Sequence, residues 1–330
     1  MKFADYLQDS IDQRGFLVAG FDPQWEDIPA FIRRRYTPNS ENAAAQLEAL
    51  LVELYQQALL AIAPHVCAIK PNIAFFEQFG CPGLAALERI CAVIKATQLP
   101  IIIDAKRGDI GNTNLAYCKA FLDSRASHPQ DDLPPMPVAP LAHLVDAITV
   151  NCFLGLDTLE PFLRTCVENE KGIFVLVRTS NPGSAELQGS GEDLASGSAL
   201  SAVVAKKLGA EASTLEGLCG YSGLGAVVGA TYPSEAQSLR LSMPTNFFLV
   251  PGFGAQGGAA EAAFAGYSAH GTAQRKAGLV VNSSRGIFSK LPNHIATWAD
   301  YRQEISQRAK QQAQQLLSAQ QVVAATYSNA

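Results

Sequence analysis

The chain is poor in charge and lacks the residue patterns that mark a metal or disulfide scaffold. Charged residues make up 17% of its 330 positions and the formal net charge is -5, so no overall field draws it to nucleic acid or an anionic membrane. Any anion it binds has to be held by a local site. The seven cysteines (67, 81, 91, 118, 152, 166, 219) are odd in number and never spaced as C-x-x-C, which excludes a zinc knuckle or a dithiol motif and reads as buried thiols in a reducing compartment. The five histidines (65, 128, 143, 270, 294) form no ligand spacing. No apolar run is expected to reach the length of a membrane span, and "MKFADYLQDSIDQRG" places Asp5, Asp9 and Asp12 where a secretory leader needs an unbroken apolar segment. A soluble, cytoplasmic globular protein is the expectation.

Hydrophobic residues, by contrast, reach 48%. They fall into short β-branched runs at 16–21, 66–70, 101–104, 147–151, 173–178, 225–230, 247–251 and 278–283. The runs are continuous rather than alternating, as in strands buried on both faces. Helical stripes lie between them. In 40–63 they are Leu47, Leu50, Leu51, Leu54, Ala58 and Ile62 after a possible Ser40 cap; in 84–94, Leu84, Leu87, Ile90, Cys91 and Ile94; near the end, Trp298, Tyr301, Ile305 and Ala309 before a Gln-rich tail expected to fray. Eight strands alternating with helices predict the α/β class, a single (β/α)8 TIM barrel over 1–330, with an open doubly wound sheet as the alternative. The five prolines of 123–146 predict an inserted extended loop at the bottom or side of the barrel.

In such a barrel the strands' C-terminal ends carry the chemistry. Polar residues collect there: Asp22, Lys70, Asp104 with Lys106, Asn151, Thr179 with Ser180, and Ser283, Ser284 and Arg285. "PGFGAQGG" at 251–258 contains G-x-G-x-x-G, but it follows the seventh strand and no acidic residue occurs between Glu261 and Asp300 to hold a ribose. A nicotinamide site is therefore rejected. Its glycines let backbone N–H groups approach a phosphate, with Arg285 as a planar donor fork and Gln256 able to reach over the ligand.

The third run, "PIIIDAKRGDIGNTN", ends in Asp104, Lys106, Arg107 and Asp109. Residues two apart on a strand share a face, so Asp104 and Lys106 should point into the barrel mouth and Ala105 away. With Asp109 on the following turn and Lys70 nearby, alternating charges would keep one another ionised.

D-x-K-x-x-D-I-x-x-T, here Asp104, Lys106, Asp109, Ile110 and Thr113, resembles the signature of the orotidine 5′-phosphate decarboxylases, in the longer bacterial form "DAKRGDIGNTN". "FDP", "KPNIAFFEQFG", "TSNPGS", "PGFGAQGG" and "NSSRGI" follow in the family's order. The resemblance implies a carboxy-lyase of pyrimidine biosynthesis that converts orotidine 5′-monophosphate to UMP without cofactor or metal. It implies Lys106 as proton donor to C6, with Lys70, Asp104 and Asp109 completing the charge network. Asp22 and Lys70 would hold ribose hydroxyls, Ser180 the pyrimidine edge, and Gln256 with Arg285 the phosphate. Asp109, Ile110 and Thr113 would reach a neighbouring subunit's site, which implies a homodimer. Cys152 and Phe153 replace the more usual Pro-Tyr after the fourth strand, and the 123–146 insertion has no counterpart in the pattern. The rival readings are a magnesium-dependent sugar-phosphate aldolase or decarboxylase of the same superfamily, for which Glu77 is the nearest added ligand, and a catalytically inert nucleotide-binding barrel.

Overall fold

The structure is a computed structural model and describes residues 1–125, 140–189, 199–253, 260–268 and 277–328. Each of the eight apolar runs forms a strand: β1 (Leu17–Phe21), β2 (Ala68–Pro71), β3 (Ile102–Arg107), β4 (Ala147–Val150), β5 (Gly172–Arg178), β6 (Ser222–Val228), β7 (Asn246–Val250) and β8 (Leu279–Ser283). All seven ladders are parallel, in the order β2-β1-β8-β7-β6-β5-β4-β3. The two outer strands meet through parallel bridges at Ile69/Ile101 and Asn72/Asp104, nearly closing the barrel. Closure buries both faces of the strands, which is why they read as unbroken apolar runs.

Two strands break register at their C-terminal ends. Against β4, β3 slips between Ile103 and Arg107; against β6, β5 slips between Leu176 and Arg178. Both irregularities re-aim the side chains that follow.

Helices cover the strands. Ala43–Ile62 buries all six of its expected stripe residues, but it starts at an Asn42 that makes no side-chain cap bond, while the Ser40 hydroxyl is spent on the Thr37 carbonyl (3.0 Å). By length and composition, 43–65 is apolar enough to cross a membrane, contrary to the reading of the sequence. Its leucine stripe is packed on the barrel as a core helix. In Gly80–Ala96, Leu84 is exposed and Gly83 and Ala86 take the inner face instead. The Gln-rich tail does not fray: Trp298–Ser328 is one helix, because Ala313, Leu316 and Ala319 prolong the buried stripe of Tyr301, Ile305 and Ala309. Five cysteines are buried, but Cys152 is only half-buried and Cys81 is exposed. Of the proline-rich insertion, 126–139 lie outside the described residues; it re-enters through a short helix, Leu141–Leu144.

The N-terminal helix Phe3–Arg14 closes the lower end of the barrel. Phe3 lies edge-on to Phe174 (6.0 Å between centroids), where a Cβ on Gly172 would come within 2.2 Å of its ring. With that end filled, the accessible interior opens at the strands' C-terminal rim.

Candidate active site

A cavity of about 480 Å³ sits at that rim. Its described walls carry three cations, Lys70, Lys106 and Arg285, against two carboxylates, Asp22 and Asp104. The local balance is positive in a chain that is negative overall, which suits an anionic ligand.

Asp104 is the hub. Its Oδ2 accepts from Lys70 Nζ (2.6 Å), and its Oδ1 accepts from Lys106 Nζ (2.5 Å) and the Thr149 hydroxyl (2.9 Å). Burial opposes charge on Asp104, but the two ammonium groups outweigh it and hold the carboxyl well below the usual range. Burial likewise works against the Lys70 ammonium, and Asp104 with Asp22 overcome it and raise its pKa. The two lysines differ in access: the Lys70 side chain is 6% exposed and Lys106 48%. Lys70 is a fixed charge in the floor, and Lys106 is a charge presented to the cavity.

The irregularity in β3 makes that presentation. Lys106 has φ +48, an unusual backbone for a residue with a side chain, and its N–H donates to Thr149 Oγ1 (2.9 Å) rather than to a ladder carbonyl. Asn151 Nδ2 donates to the Lys106 carbonyl (3.1 Å) from the next loop. Asp104 and Lys106 do face the same way, as strand alternation predicts, but a bulge held by Thr149 and Asn151 sets the angle between them.

The fourth charge is elsewhere. Asp109 Oδ1 accepts from the Ile110 N–H (2.7 Å), the Asp109 N–H goes to Asn114 Oδ1 (2.8 Å), and among the described residues Asp109 forms no ion pair. Ile110 and Thr113 stand exposed on the same outer turn. Within one chain these three are not brought to the cavity. Arg107 turns outward as well, pairing with Glu77 (2.8 Å) and lying over the Tyr117 ring (5.6 Å).

Asp22 lines the cavity beside Lys70, with Oδ1 buried and lacking a hydrogen-bond partner among the described residues. Such an oxygen is costly unless a ligand donor meets it. Thr179 and Ser180 form the wall at the end of β5, and Arg285, exposed at the start of the short helix Arg285–Phe288, closes the opposite end with Gly252. Gly252 has φ +98, open to glycine at little cost. Gln256 lies outside the described residues.

Five polar lining residues escaped the sequence reading: Asn72, Thr149, Asn181, Gln188 and Asn282. Asn282 has a buried, unpartnered Oδ1, and the absent Cβ of Gly20 leaves room for it and for Ser284, whose Oγ would lie 1.8 Å from such an atom. The available signal was a polar residue interrupting an apolar run, as in "AITVN" and "LVVNS". A metal reading finds little support in the donor set. Both Asp104 oxygens are engaged by ammonium groups and Glu77 by Arg107, and among the described residues no group of three or more His, Cys, Asp or Glu is placed to share an ion.

The chain resembles known proteins along most of its length. The chain is 34% identical over 296 residues to the orotidine 5′-phosphate decarboxylase of Caldicellulosiruptor bescii, covering 89% of this chain and 92% of that one. It is 40% identical over 230 residues to the enzyme of that name from Deinococcus radiodurans, covering 69% and 76%. Among solved structures, a putative orotidine 5′-phosphate decarboxylase from Streptomyces avermitilis superposes with a TM-score of 0.70 at 31% identity, covering 96% of this chain and 95% of that one. The model of the orotidine 5′-phosphate decarboxylase / HUMPS family matches residues 52–301, from the helix before β2 past the end of β8, and this chain belongs to that family.

Proposed function

We propose that the protein decarboxylates orotidine 5′-monophosphate to UMP, without a cofactor. The observation that supports this most is one carboxylate, Asp104, holding two ammonium groups at the mouth of a closed-bottomed barrel. In the reaction the bond from C6 to the carboxylate breaks, CO₂ departs and the electron pair stays on C6. The Lys106 ammonium meets that developing charge, gives C6 a proton and is reprotonated from solvent. A charge fixed before the bond breaks needs no reorganisation as carbanion character forms, which is usually the largest catalytic term. Asp104 aims Lys106; Lys70 and Asp22 take ribose hydroxyls, which gives the unpartnered Asp22 Oδ1 a donor. Ser180 faces the base edge, and Arg285 with Gln256 takes the phosphate, far from the bond that breaks, so that its binding energy is available to hold the ring in place.

The working form in this reading is a cytoplasmic homodimer. Asp109, Ile110 and Thr113 would enter the partner's cavity, and Ile110 at 62% exposed, with Phe153 and Leu154 exposed on the adjoining loop, supplies an apolar surface for it. The deciding experiment follows the ultraviolet absorbance of orotidine 5′-monophosphate after adding purified protein, with and without EDTA. Loss of substrate at equal rates is expected; no loss, or loss abolished by chelator, would overturn the assignment. Sedimentation of wild type and Ile110→Asp tests the dimer.

A further inference from the structure

Arg178 ends β5 immediately before Thr179 and Ser180, yet it does not line the cavity. Leu176 does, and plain alternation would put residue 178 on the same face. The slip between Leu176 and Arg178 turns the arginine outward into the helix layer and leaves Thr179 and Ser180 at the mouth. There the side chain is 1% exposed, and each of its three guanidinium nitrogens donates a hydrogen bond. Its Nε and NH2 donate to Glu235 Oε2 (2.6 Å) and Oε1 (3.1 Å), its NH1 donates to Ser184 Oγ (2.5 Å), and its Cζ lies 3.6 Å from the Tyr232 ring centroid. One planar group thus ties three places together: the end of β5, the loop beyond Ser180, and the segment after β6 that opens the helix Pro233–Ser242.

The loop it ties is the cavity wall. Gln188 Oε1 accepts from the Thr179 N–H (2.7 Å) and hydroxyl (3.1 Å), and the Thr179 hydroxyl also reaches Asn181 Oδ1 (2.6 Å). The Arg178 carbonyl accepts from the Gly229 N–H (2.7 Å), and a Cβ on Gly229 would sit 3.0 Å from Ser180 Cβ. Ser180 is therefore pressed against the end of β6 by the same residue whose side chain grips Glu235. We propose that Arg178 is a positioning residue, its clasp with Glu235 and Ser184 setting Ser180 against the base edge of the bound nucleotide; this rests on the reading of Ser180 given above.

Glu235 is the accessible end of the clasp, 36% exposed at its side chain, so Glu235→Gln and Ser184→Ala are the variants of choice, with Arg178→Lys as the charge-conserving change. The probes are UMP, which has a base, and ribose 5-phosphate, which does not. Glu235→Gln should lower kcat/KM for orotidine 5′-monophosphate by roughly ten- to a hundredfold, in the range a misplaced site produces. UMP binding should weaken with it, and ribose 5-phosphate binding should stay within about twofold. In a double-mutant cycle with Ser180→Ala, the cost of Glu235→Gln should shrink, because the clasp acts through a group already removed. Equal loss of both ligands, no loss of either, or full additivity with Ser180→Ala would each overturn the clasp. A wild type that leaves orotidine 5′-monophosphate intact, or binds UMP no better than ribose 5-phosphate, would instead remove the reading on which it rests.

Discussion

The barrel holds two largely buried aspartates paired with lysine, one at each end, and they differ in what completes them. Asp146, at the lower edge beside the start of β4, takes Lys95 Nζ on Oδ1 (2.8 Å) and the Ile101 backbone N–H on Oδ2 (2.9 Å). One partner is solvated side chain and the other is chain, so the pair ties neighbouring strand starts. Asp104, at the upper edge, takes an ammonium on each oxygen and opens onto a cavity. The same two residue types make a fastener in one place and a loaded site in the other. The difference lies in whether the carboxylate has a backbone donor to satisfy or surplus charge to hold.

That contrast can be broken by substitution, and the largest effect is expected on turnover. Lys106→Ala should cut kcat by at least about a thousandfold, as removal of fixed transition-state charge does, while UMP binding stays within about an order of magnitude. Asp146→Asn should leave kcat near wild type; steady-state assays with calorimetric titration read both. Next in size is stability. Asp104→Asn strands the Lys70 ammonium and should cost about 3–5 kcal/mol in denaturant unfolding. Asp146→Ala leaves mainly the Ile101 N–H unpaired and should cost about 1–3 kcal/mol. Arg285→Ala should be smaller still in stability, within about 0.5 kcal/mol for an exposed side chain, while raising KM severalfold; a KM left unchanged would remove Arg285 from the phosphate end.

The smallest effect is the shape of the pH dependence. Asp104 is held below its unfolded value near about 3.9, so its contribution is complete above about pH 4 and is lost as pH falls through the lower folded value. Lys70 is raised above about 10.4, so its contribution is complete below about pH 10 and is lost as pH rises through the folded value. The Tm gap between wild type and Asp104→Asn should hence be flat from about pH 5 to 9 and narrow beyond both limits.

The upper and lower ends were unequally legible. All eight strands could be read because burial on both faces leaves runs such as "IFVLV" that are mostly apolar. Asp104, Lys106 and Lys70 could be read because charge at the end of such a run is expensive without a purpose. Thr149 showed only as a polar residue inside "AITVN"; its importance comes from a register slip in the neighbouring strand, and a slip leaves no periodic trace in either sequence. Arg178 was passed over for a related reason: its partner Glu235 is 57 residues away, and nothing local says which side of the sheet the arginine takes. The Asn42 start and the buried tail of Trp298–Ser328 were missed because helix limits are decided by what the last turns touch.

The slip in β3 makes the chain here intolerant of miscounting. Three residues, Asp104 to Lys106, span the stretch that Thr149 alone spans on β4. Deleting Ala105 would leave two residues opposite Thr149 and, because side chains alternate along a strand, turn Lys106 toward the helix layer and bring Arg107 to the mouth in its place. Between Ile103 and Gly108, then, spacing matters as much as identity: libraries that vary side chains can leave some functional members, whereas insertions and deletions in this window should leave none.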